Sequence, residues 1–421
     1  MLRRKLRNTI NDIKRKKQKG KVEHKSSNHI ILGVAFLVLV VILSLVVPVL
    51  LSLYKFELSY ISSPQVDSKW DQSEKFKVLL VGIDRKGEQH IFVDALVLLV
   101  LDPSNSEVGL INLNPDIIAY NPDSKNQVTL RRALIDSQDG DFEEISILTE
   151  GVLATDIDRV VVLDAGFVKD MKSYTNSIPT SLSQDVSDSD VASANNSSTW
   201  SSGNVKVSAG VVYDYLRSDS NGRDDQLARQ LEIYKNYIQH IDKLKLLLGF
   251  SNFLDKIEKN ILTNMSKTEI IRAYLFLRAI PPGSYKTVYT RSDILTHAGK
   301  EGVYDTYRVD EEQLDNDNEV ILESRQVLLE QPVVEVLNAS GEPGVAREKA
   351  RWLDNVGAQL VHIANAPFIE DKTVVYIENK AKYGNTIKEF KKILGEETLF
   401  LDMAYQYRHI GNIVVVVGKD Y

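Results

Sequence analysis

A single uncharged stretch, residues 30–53, constrains this chain more than any other feature of its sequence. Its 24 residues are almost all apolar, and one α-helix of that length spans the hydrocarbon core of a bilayer. The 29 residues before it carry 11 Lys and Arg but only 2 acidic residues, and the positive-inside rule keeps such a segment in the cytoplasm. The sequence therefore predicts a cell-membrane protein with a single span, a cytoplasmic N-terminus at 1–29 and an extracytoplasmic remainder.

A cleaved signal peptide and a nucleic-acid-binding tail are the alternatives for the first 53 residues. The apolar stretch is longer than the hydrophobic region of a signal peptide, and no small-x-small cleavage site follows Leu53. Topology and attraction to anionic lipid headgroups account for the basic residues without a nucleic acid. We therefore expect an uncleaved anchor, the membrane as a partner, and no nucleic-acid partner.

The part of the chain after the anchor is acidic. The chain has 51 basic and 58 acidic residues, of which 11 and 2 precede residue 30, so the remainder has a formal charge of −16. Such a surface does not attract polyanions in general, and a phosphate ligand must meet a local group of arginines. The chain contains no cysteine, which excludes a disulfide-stapled domain and is typical of a large core in a bacterial envelope protein.

The pattern after the anchor predicts an α/β fold, a central mixed sheet sandwiched by helices. Short apolar runs bounded by Gly, Asp, Asn and Pro are typical of buried strands, and they alternate with segments of helical spacing. Strands are predicted at 76–83, 95–101, 108–113 and 159–164, and helical segments at 129–153, 208–243 and 252–280. Ser266 and Glu269 form a predicted capping box in the last of these segments.

Changes of composition divide the chain further. We predict a juxtamembrane spacer at 54–75, a main domain at 76–280, a connector at 281–331 and a small C-terminal domain at 332–421 with βαββαβ order. Within the main domain, 20 of the 30 residues at 175–204 are Ser, Thr, Asn or Asp and none is basic. This composition predicts a disordered surface insertion.

Several common kinds of site are excluded by the sequence. The histidines are scattered without His-x-x-x-His pairing and cysteine is absent, so a zinc site of the usual kind is not expected. The chain has no Gly-x-Ser-x-Gly elbow and no Walker-type phosphate loop. These absences leave serine hydrolases and nucleoside-triphosphatases without support.

Acidic residues at strand ends and arginines beside a polar turn are the remaining candidates. Asp84 follows the first predicted strand, Asp94 precedes the second and Asp116 follows the third, while Arg217 and Arg229 flank the turn. Carboxylates in such a position can hold a divalent cation, and planar guanidinium groups suit a pyrophosphate. The same pattern is typical of turn residues and of a solvated helix face, so it does not by itself identify a function.

The order of these motifs resembles the LytR-CpsA-Psr family of envelope proteins. The resemblance lies in residues 79–85, 93–98, 111–116, 160–167, 207–218, 229–230 and 263–270. Residues 334–341 together with Gly344 resemble the LytR C-terminal domain that accompanies this family. No single motif is decisive, and the order of the motifs carries the resemblance.

The resemblance implies a transferase that moves a glycopolymer from a polyprenyl-pyrophosphate carrier onto peptidoglycan, with Mg²⁺ at the pyrophosphate. Position by position, it implies metal-binding acids at Asp84 and Asp94, catalytic roles for Asp116, Arg217 and Arg229, and substrate binding by Arg85, Arg217, Arg229 and Gln230. Three arginines of the family are missing, because Pro115, Asp219 and Gln226 stand in their places. Arg85, Arg131, Arg132 and Arg223 are candidates to supply the lost charge.

Two hypotheses about function follow. The retained acids favour a divergent glycopolymer transferase that acts in cell-wall assembly. The missing arginines favour a catalytically inactive protein that binds a lipid carrier or a glycan as an envelope scaffold. A regulatory role, suggested by the older naming of the family, has less support because the short cytoplasmic tail has no DNA-binding fold.

Overall fold

The computed structural model describes residues 59–60, 70–84, 91–122, 124–134, 142–164, 177–187, 199–208, 211–240, 260–404 and 408–420. The predicted anchor at 30–53 lies outside these residues. Among the residues that are described, none of the helices combines the length and the apolar character that a membrane span requires.

Twenty strands and eight α-helices follow one another along the described chain. The strands are β1 (Ser59–Tyr60), β2 (Phe76–Asp84), β3 (Phe92–Asp102), β4 (Glu107–Leu113), β5 (Ile118–Asn121), β6 (Asn126–Thr129), β7 (Arg159–Asp164), β8 (Ser177–Leu182), β9 (Val186–Ser187), β10 (Thr199–Trp200), β11 (Gly203–Ser208), β12 (Ile261–Thr263), β13 (Tyr285–Tyr289), β14 (Leu295–Glu301), β15 (Tyr304–Val309), β16 (Val333–Asn338), β17 (Gln359–Asn365), β18 (Val374–Ile377), β19 (Leu399–Asp402) and β20 (Ile413–Val417). The helices are α1 (Glu143–Leu153), α2 (Val212–Arg217), α3 (Arg223–His240), α4 (Lys267–Ala279), α5 (Glu311–Leu322), α6 (Arg325–Glu330), α7 (Val345–Asn355) and α8 (Gly384–Leu394). Short 3-10 helices lie at Leu130–Arg132, Pro282–Ser284 and Ser292–Ile294.

The main domain is built on a seven-stranded mixed sheet with the strand order β1-β12-β7-β2-β3-β4-β13. The pairs β1–β12, β7–β2 and β4–β13 are parallel, and the other neighbours are antiparallel. The four predicted strands are present as β2, β3, β4 and β7, with ends that differ by a few residues.

Strand β3 shows why this sheet is buried on both faces. Successive side chains of a strand point to opposite faces, and both sets in this strand are apolar. Leu98 lies in one core together with Ile145 of α1. Leu99 lies in a second core together with Leu231 of α3 and Ala273 of α4. The predicted central sheet between two layers of helices is therefore confirmed.

The helices are shorter than the sequence pattern predicts. The segment predicted as one helix at 208–243 contains α2 and α3, which a turn separates, and the segment at 252–280 contains strand β12 before α4. Periodicity alone does not distinguish a strand of three apolar residues from the start of a helix. The predicted capping box is present, with Glu269 N donating to Ser266 Oγ at 3.2 Å and Ser266 N donating to Glu269 Oε2 at 2.7 Å.

The predicted disorder of 175–204 is wrong for the part of this segment that the structure describes. Strand β8 pairs with β11 and β9 pairs with β10, both antiparallel. Val186 and Trp200 are buried with Tyr215 of α2 and Ile233 of α3, and the Trp200 and Tyr215 rings meet edge to face at 5.0 Å. A few apolar side chains form this core. The composition of the whole segment is rich in Ser, so it does not show that these side chains are placed to pack together.

The predicted connector at 281–331 contributes to the main domain. Strand β13 is the edge of the large sheet, paired in parallel with β4, and Leu314 and Ile321 of α5 are buried in the core beneath α1. Strands β14 and β15 form an antiparallel hairpin between them. Strand β13 is short and partly polar, and the outer face of α5 is acidic. For these reasons the sequence pattern of residues 281–331 is typical of a connector.

The C-terminal domain has a five-stranded sheet with the order β17-β16-β20-β18-β19. Helices α7 and α8 cover one face, where Leu353 and Phe390 pack against Val336 and Val415. The predicted βαββαβ order is present, and β19 is an additional strand between α8 and β20. Strand β19 is a short edge strand whose side chains are largely exposed although three of the four are apolar.

Polar contacts join this domain to the main domain. Arg351 of α7 pairs with Asp315 of α5 through Nε–Oδ2 at 2.5 Å, and Asn355 Nδ2 donates to the backbone oxygen of Leu153 at 3.0 Å. Glu330 of α6 accepts the backbone N–H of Thr386 at 2.8 Å, which satisfies a free donor at the start of α8. The connector helices therefore hold the two domains together.

Truncation of a side chain inside the predicted insertion tests its packing. Trp200→Ala should lower the free energy of unfolding by about 3 to 5 kcal/mol, because it leaves a cavity beside Tyr215. Chemical denaturation of purified residues 54–421 would measure this loss. Tyr120→Ala, at a side chain 55% exposed, is the control and should have little effect; equal, small losses in both variants would show that the insertion does not pack.

A buried carboxylate near the domain junction gives the stability a dependence on pH. Burial raises the pKa of Glu150, the residue whose Oε1 accepts the N–H of Ile157 at 2.9 Å, to about 7 from 4.5. A carboxyl with a raised folded-state pKa stabilises the fold below its unfolded pKa, and this stability is lost as the pH rises through about 7. Between pH 5 and pH 8 the loss should be on the order of 2 to 3 kcal/mol.

Melting temperatures across this range, compared with those of Glu150→Gln, would test the assignment. The variant should lose much of the decline between pH 5 and pH 8, because its amide does not titrate. A parallel decline in both proteins would assign the pH dependence to another group.

Candidate functional site

A buried ion pair lies where β4 ends. Asp116 follows this strand and accepts from Arg131 of the first 3-10 helix, with Nε–Oδ1 at 2.5 Å and Nη2–Oδ2 at 3.2 Å. Both residues are less than one-tenth exposed. This two-point geometry orients the guanidinium more firmly than a single contact would.

A second arginine approaches the same carboxylate from α3. Arg223 Nη2 lies 2.6 Å from Asp116 Oδ2, and Arg223 Nη1 donates to Gln226 Oε1 at 2.6 Å. Burial alone would raise the pKa of Asp116, but the hydrogen bond and charge of Arg131, together with the charge of Arg223, hold this pKa below its ordinary value. Asp116 is therefore ionised at neutral pH and holds two guanidinium groups side by side.

Arg131 is fixed by further neighbours. Its Nη1 lies 3.3 Å from Asp94 Oδ1 and 3.3 Å from the backbone oxygen of Val93. The guanidinium carbon also lies 4.4 Å from the centre of the Tyr304 ring, a distance at which a cation and an aromatic face attract. The structure thus brings two of the predicted site residues, Asp94 and Asp116, together through an arginine.

Asp116, Arg131 and Tyr304 border a cavity of about 330 Å³. Its lining includes Asp116, Thr129, Arg131, Arg132, Glu301 and Tyr304. The β14–β15 hairpin supplies the last two of these residues, so the predicted connector forms one wall. The sequence carries no local signal for Glu301 or Tyr304, since only tertiary packing places the hairpin beside the 3-10 helix.

Two of the three positions that lack the expected arginine contact an arginine from elsewhere in the chain. The backbone oxygen of Pro115 accepts from Arg131 N at 2.6 Å, and the side chain of Gln226 accepts from Arg223. Asp219, the third position, is exposed in the turn before α3. Arg131 and Arg223 are both candidates to supply the lost charge. Arg131 lines the cavity, and Arg223 contacts Asp116, which also lines it.

Arg229 and Gln230 make contacts that hold α3 to α2. Arg229 is 3% exposed; its Nε lies 2.6 Å from Asp225, its Nη1 donates to the oxygen of Tyr215 at 2.5 Å, and its Nη2 donates to the oxygen of Ser218. Gln230 Nε2 donates to the oxygen of Leu216 at 3.0 Å. These donors satisfy carbonyls at the end of α2, a placement that favours a structural role over a phosphate contact.

The structure describes fewer side-chain contacts for the remaining predicted site residues. Arg217 is exposed at the end of α2, and its backbone oxygen accepts from Gln226 Nε2 at 2.8 Å. Asp84 ends β2, but its side chain lies outside the described residues, as does Arg85. Within the described part of the chain, no three His, Asp or Glu side chains are grouped as a metal site requires. The Mg²⁺ site at Asp84 and Asp94 stays a prediction.

The contacts of Arg229 predict the effect of its removal. Arg229→Gln should lower the free energy of unfolding by about 3 to 5 kcal/mol, because it leaves Asp225 and two backbone oxygens without their buried donor. Arg347→Gln, at an exposed position of α7, should change it by less than about 0.5 kcal/mol. Urea denaturation of both variants would measure the difference, and a stable Arg229→Gln protein would return this residue to the list of substrate ligands.

No curated protein matches the chain. Solved structures similar to it include a transcriptional regulator from Enterococcus faecalis (18% identity, TM-score 0.45, covering 59% of this chain and 87% of that one). TagV from B. subtilis (18%, 0.46, 59% and 95%) and TagT bound to LI-WTA (17%, 0.46, 62% and 99%) are also similar.

Two family models match successive parts of the chain. The model described as LytR cell envelope-related transcriptional attenuator matches residues 331–421, the C-terminal domain. The model of the LytR_cpsA_psr family matches residues 54–319, more than half of the 421 residues. The chain therefore belongs to the LytR_cpsA_psr family, with a LytR C-terminal domain after its main domain.

Proposed function

We propose that this protein is a membrane-anchored transferase that attaches a glycopolymer from a polyprenyl-pyrophosphate carrier to peptidoglycan. The observation that carries the proposal is the convergence of Arg131 and Arg223 on Asp116 beside the cavity. Membership of the family supports it. Asp94 and Asp116 balance the charges of the two arginines, so what the cluster offers a phosphate is guanidinium N–H groups held in place beside the cavity.

The proposed reaction is a phosphoryl transfer. A hydroxyl oxygen of peptidoglycan forms a bond to the phosphorus that carries the glycopolymer, and the hydroxyl proton passes to solvent. The bond from that phosphorus to the bridging oxygen breaks, and polyprenyl phosphate leaves. Negative charge develops on the phosphate oxygens, so positioned guanidinium groups lower the barrier. Arg223 is suited to this contact because its side chain is 30% exposed and a guanidinium has more N–H donors than its two described contacts use.

Asp116 and Asp94 have different roles in this proposal. Asp116 is held ionised between two arginines, so it orients these groups and is poorly suited to accept a proton. Asp94 is 36% exposed beside Arg131, and together with Asp84 it would hold Mg²⁺. When bound there, the cation would add positive charge at the pyrophosphate.

A binding protein without catalytic activity is the second candidate. Arg229 and Gln230 are engaged with α2, and Arg131 is engaged with two carboxylates and a backbone oxygen. These contacts leave fewer guanidinium donors for a transition state than the family pattern implies. Such a protein would bind the lipid carrier or the glycan and release it unchanged.

Substitution of the converging arginines tests ligand binding. Arg223→Gln should weaken the binding of farnesyl pyrophosphate by about 1.5 to 3 kcal/mol, the range for a hydrogen bond to a charged group. Isothermal titration calorimetry would measure it, with Arg347→Gln as a control of equal charge change. Unchanged affinity in Arg223→Gln would remove this arginine from the phosphate site.

A transfer assay with the lipid-linked polymer and peptidoglycan separates the two candidates. Turnover that requires Mg²⁺ and is lost in Asp94→Ala supports the transferase. Tight binding without turnover in the wild-type protein supports the binding protein.

A further inference from the structure

The rim of the cavity holds a second ion pair, which involves the tip of the β14–β15 hairpin. Glu301 Oε1 lies 2.6 Å from Arg132 Nη1, and Glu301 Oε2 accepts from Thr129 Oγ1 at 2.7 Å. The side chains of Arg132 and Glu301 are 41% and 29% exposed. A guanidinium and a hydroxyl thus bind both oxygens of a carboxylate that solvent can reach.

This donor set is not specific for a carboxylate. Guanidinium and hydroxyl groups bind phosphate oxygens with the same geometry and chemistry. Arg131 and Arg132 are neighbours on one 3-10 helix and contact different carboxylates. Arg131 contacts Asp116, and Arg132 contacts Glu301. The rim is therefore an anion position next to the proposed phosphate site, and an internal carboxylate occupies it.

The hairpin contacts the site through its backbone near its base and through side chains at its tip. Near the base, Tyr307 N donates to the backbone oxygen of Asp116 at 3.0 Å. At the tip, Gly302 has a positive φ of 63° and Val303 is 84% exposed. Exchange of Glu301 for another anion can therefore occur without breaking the backbone contact that joins the hairpin to the site.

We propose that Thr129 and Arg132 form a second phosphate subsite, and that a phosphate of the substrate replaces the Glu301 carboxylate there. This inference rests on the proposed function, because the subsite borders the same cavity. The phosphate is either that of the prenyl carrier or a phosphodiester within the polymer. Glu301 acts as an internal competitor that the correct polyanionic substrate displaces.

Opposite effects of two substitutions test the competition. Glu301→Gln keeps the shape of the side chain and removes its charge, so it should tighten phosphate binding by about fivefold, the factor of an exposed ion pair. Arg132→Gln breaks the same ion pair but removes the proposed ligand, so it should weaken binding by a similar factor. If the pair acts only through the general field, the two substitutions should change the affinity no more than Glu312→Gln and Arg347→Gln, which make the same charge changes at exposed positions.

The experiment uses the full chain in detergent, with farnesyl pyrophosphate and bis(glycerol) phosphate titrated separately by calorimetry. Glu312→Gln, at an exposed position of α5, has the same charge change as Glu301→Gln and controls for the general field. The compound whose affinity rises in Glu301→Gln, but not in Glu312→Gln, identifies the source of the phosphate. A rise for both compounds supports a subsite that accepts either phosphate.

The outcomes also separate this inference from the proposed function. If wild-type binding depends on Arg223 while Glu301→Gln and Glu312→Gln behave alike, the second subsite is wrong and the proposed function stands. If Glu301→Gln weakens binding, the subsite is wrong as well. If no variant binds either compound, both proposals are wrong.

Discussion

The ion pair between Asp116 and Arg131 links more parts of the main domain than any other contact at the site. It joins the end of β4 to the 3-10 helix after β6, and Arg223 extends it to α3. The backbone of Asp116 also accepts from the β14–β15 hairpin. A buried carboxylate without partners would be costly, so the fold must bring both arginines to this point. The cavity and its charge follow from that requirement.

The same ion pair brings guanidinium groups to the cavity although Pro115, Asp219 and Gln226 stand where the resemblance implies arginines. Arginine has a long side chain, so a guanidinium can reach one place from different elements. Arg131 arrives from the 3-10 helix and Arg223 from the first turn of α3, while Gln226 supports Arg223 from one turn further along. Two of these three positions thus contact the arginines: Pro115 contacts Arg131, and Gln226 contacts Arg223. The arginine that matches the family pattern, Arg229, instead holds α2 in place.

The connector has a larger part in the structure than its composition indicates. Strand β13 completes the large sheet, α5 fills the core beneath α1, and the hairpin closes one side of the cavity. Helices α5 and α6 then provide Asp315 and Glu330, which bind the C-terminal domain. The position of that domain and one wall of the site therefore depend on the same stretch of chain.

The sequence by itself determined the features that rest on local pattern. Runs of apolar residues predicted β2, β3, β4 and β7, a four-residue motif predicted the capping box at Ser266, and the order of motifs identified the family. Only the tertiary structure decided that the described part of the Ser-rich insertion packs, that Arg229 donates to backbone oxygens at the end of α2, and that Arg131 and Glu301 border one cavity. Periodicity records which face of a strand or helix is buried. The partner of a long charged side chain can be far away in the sequence. Arg132 and Glu301 are 169 positions apart, and they meet only when the chain has folded.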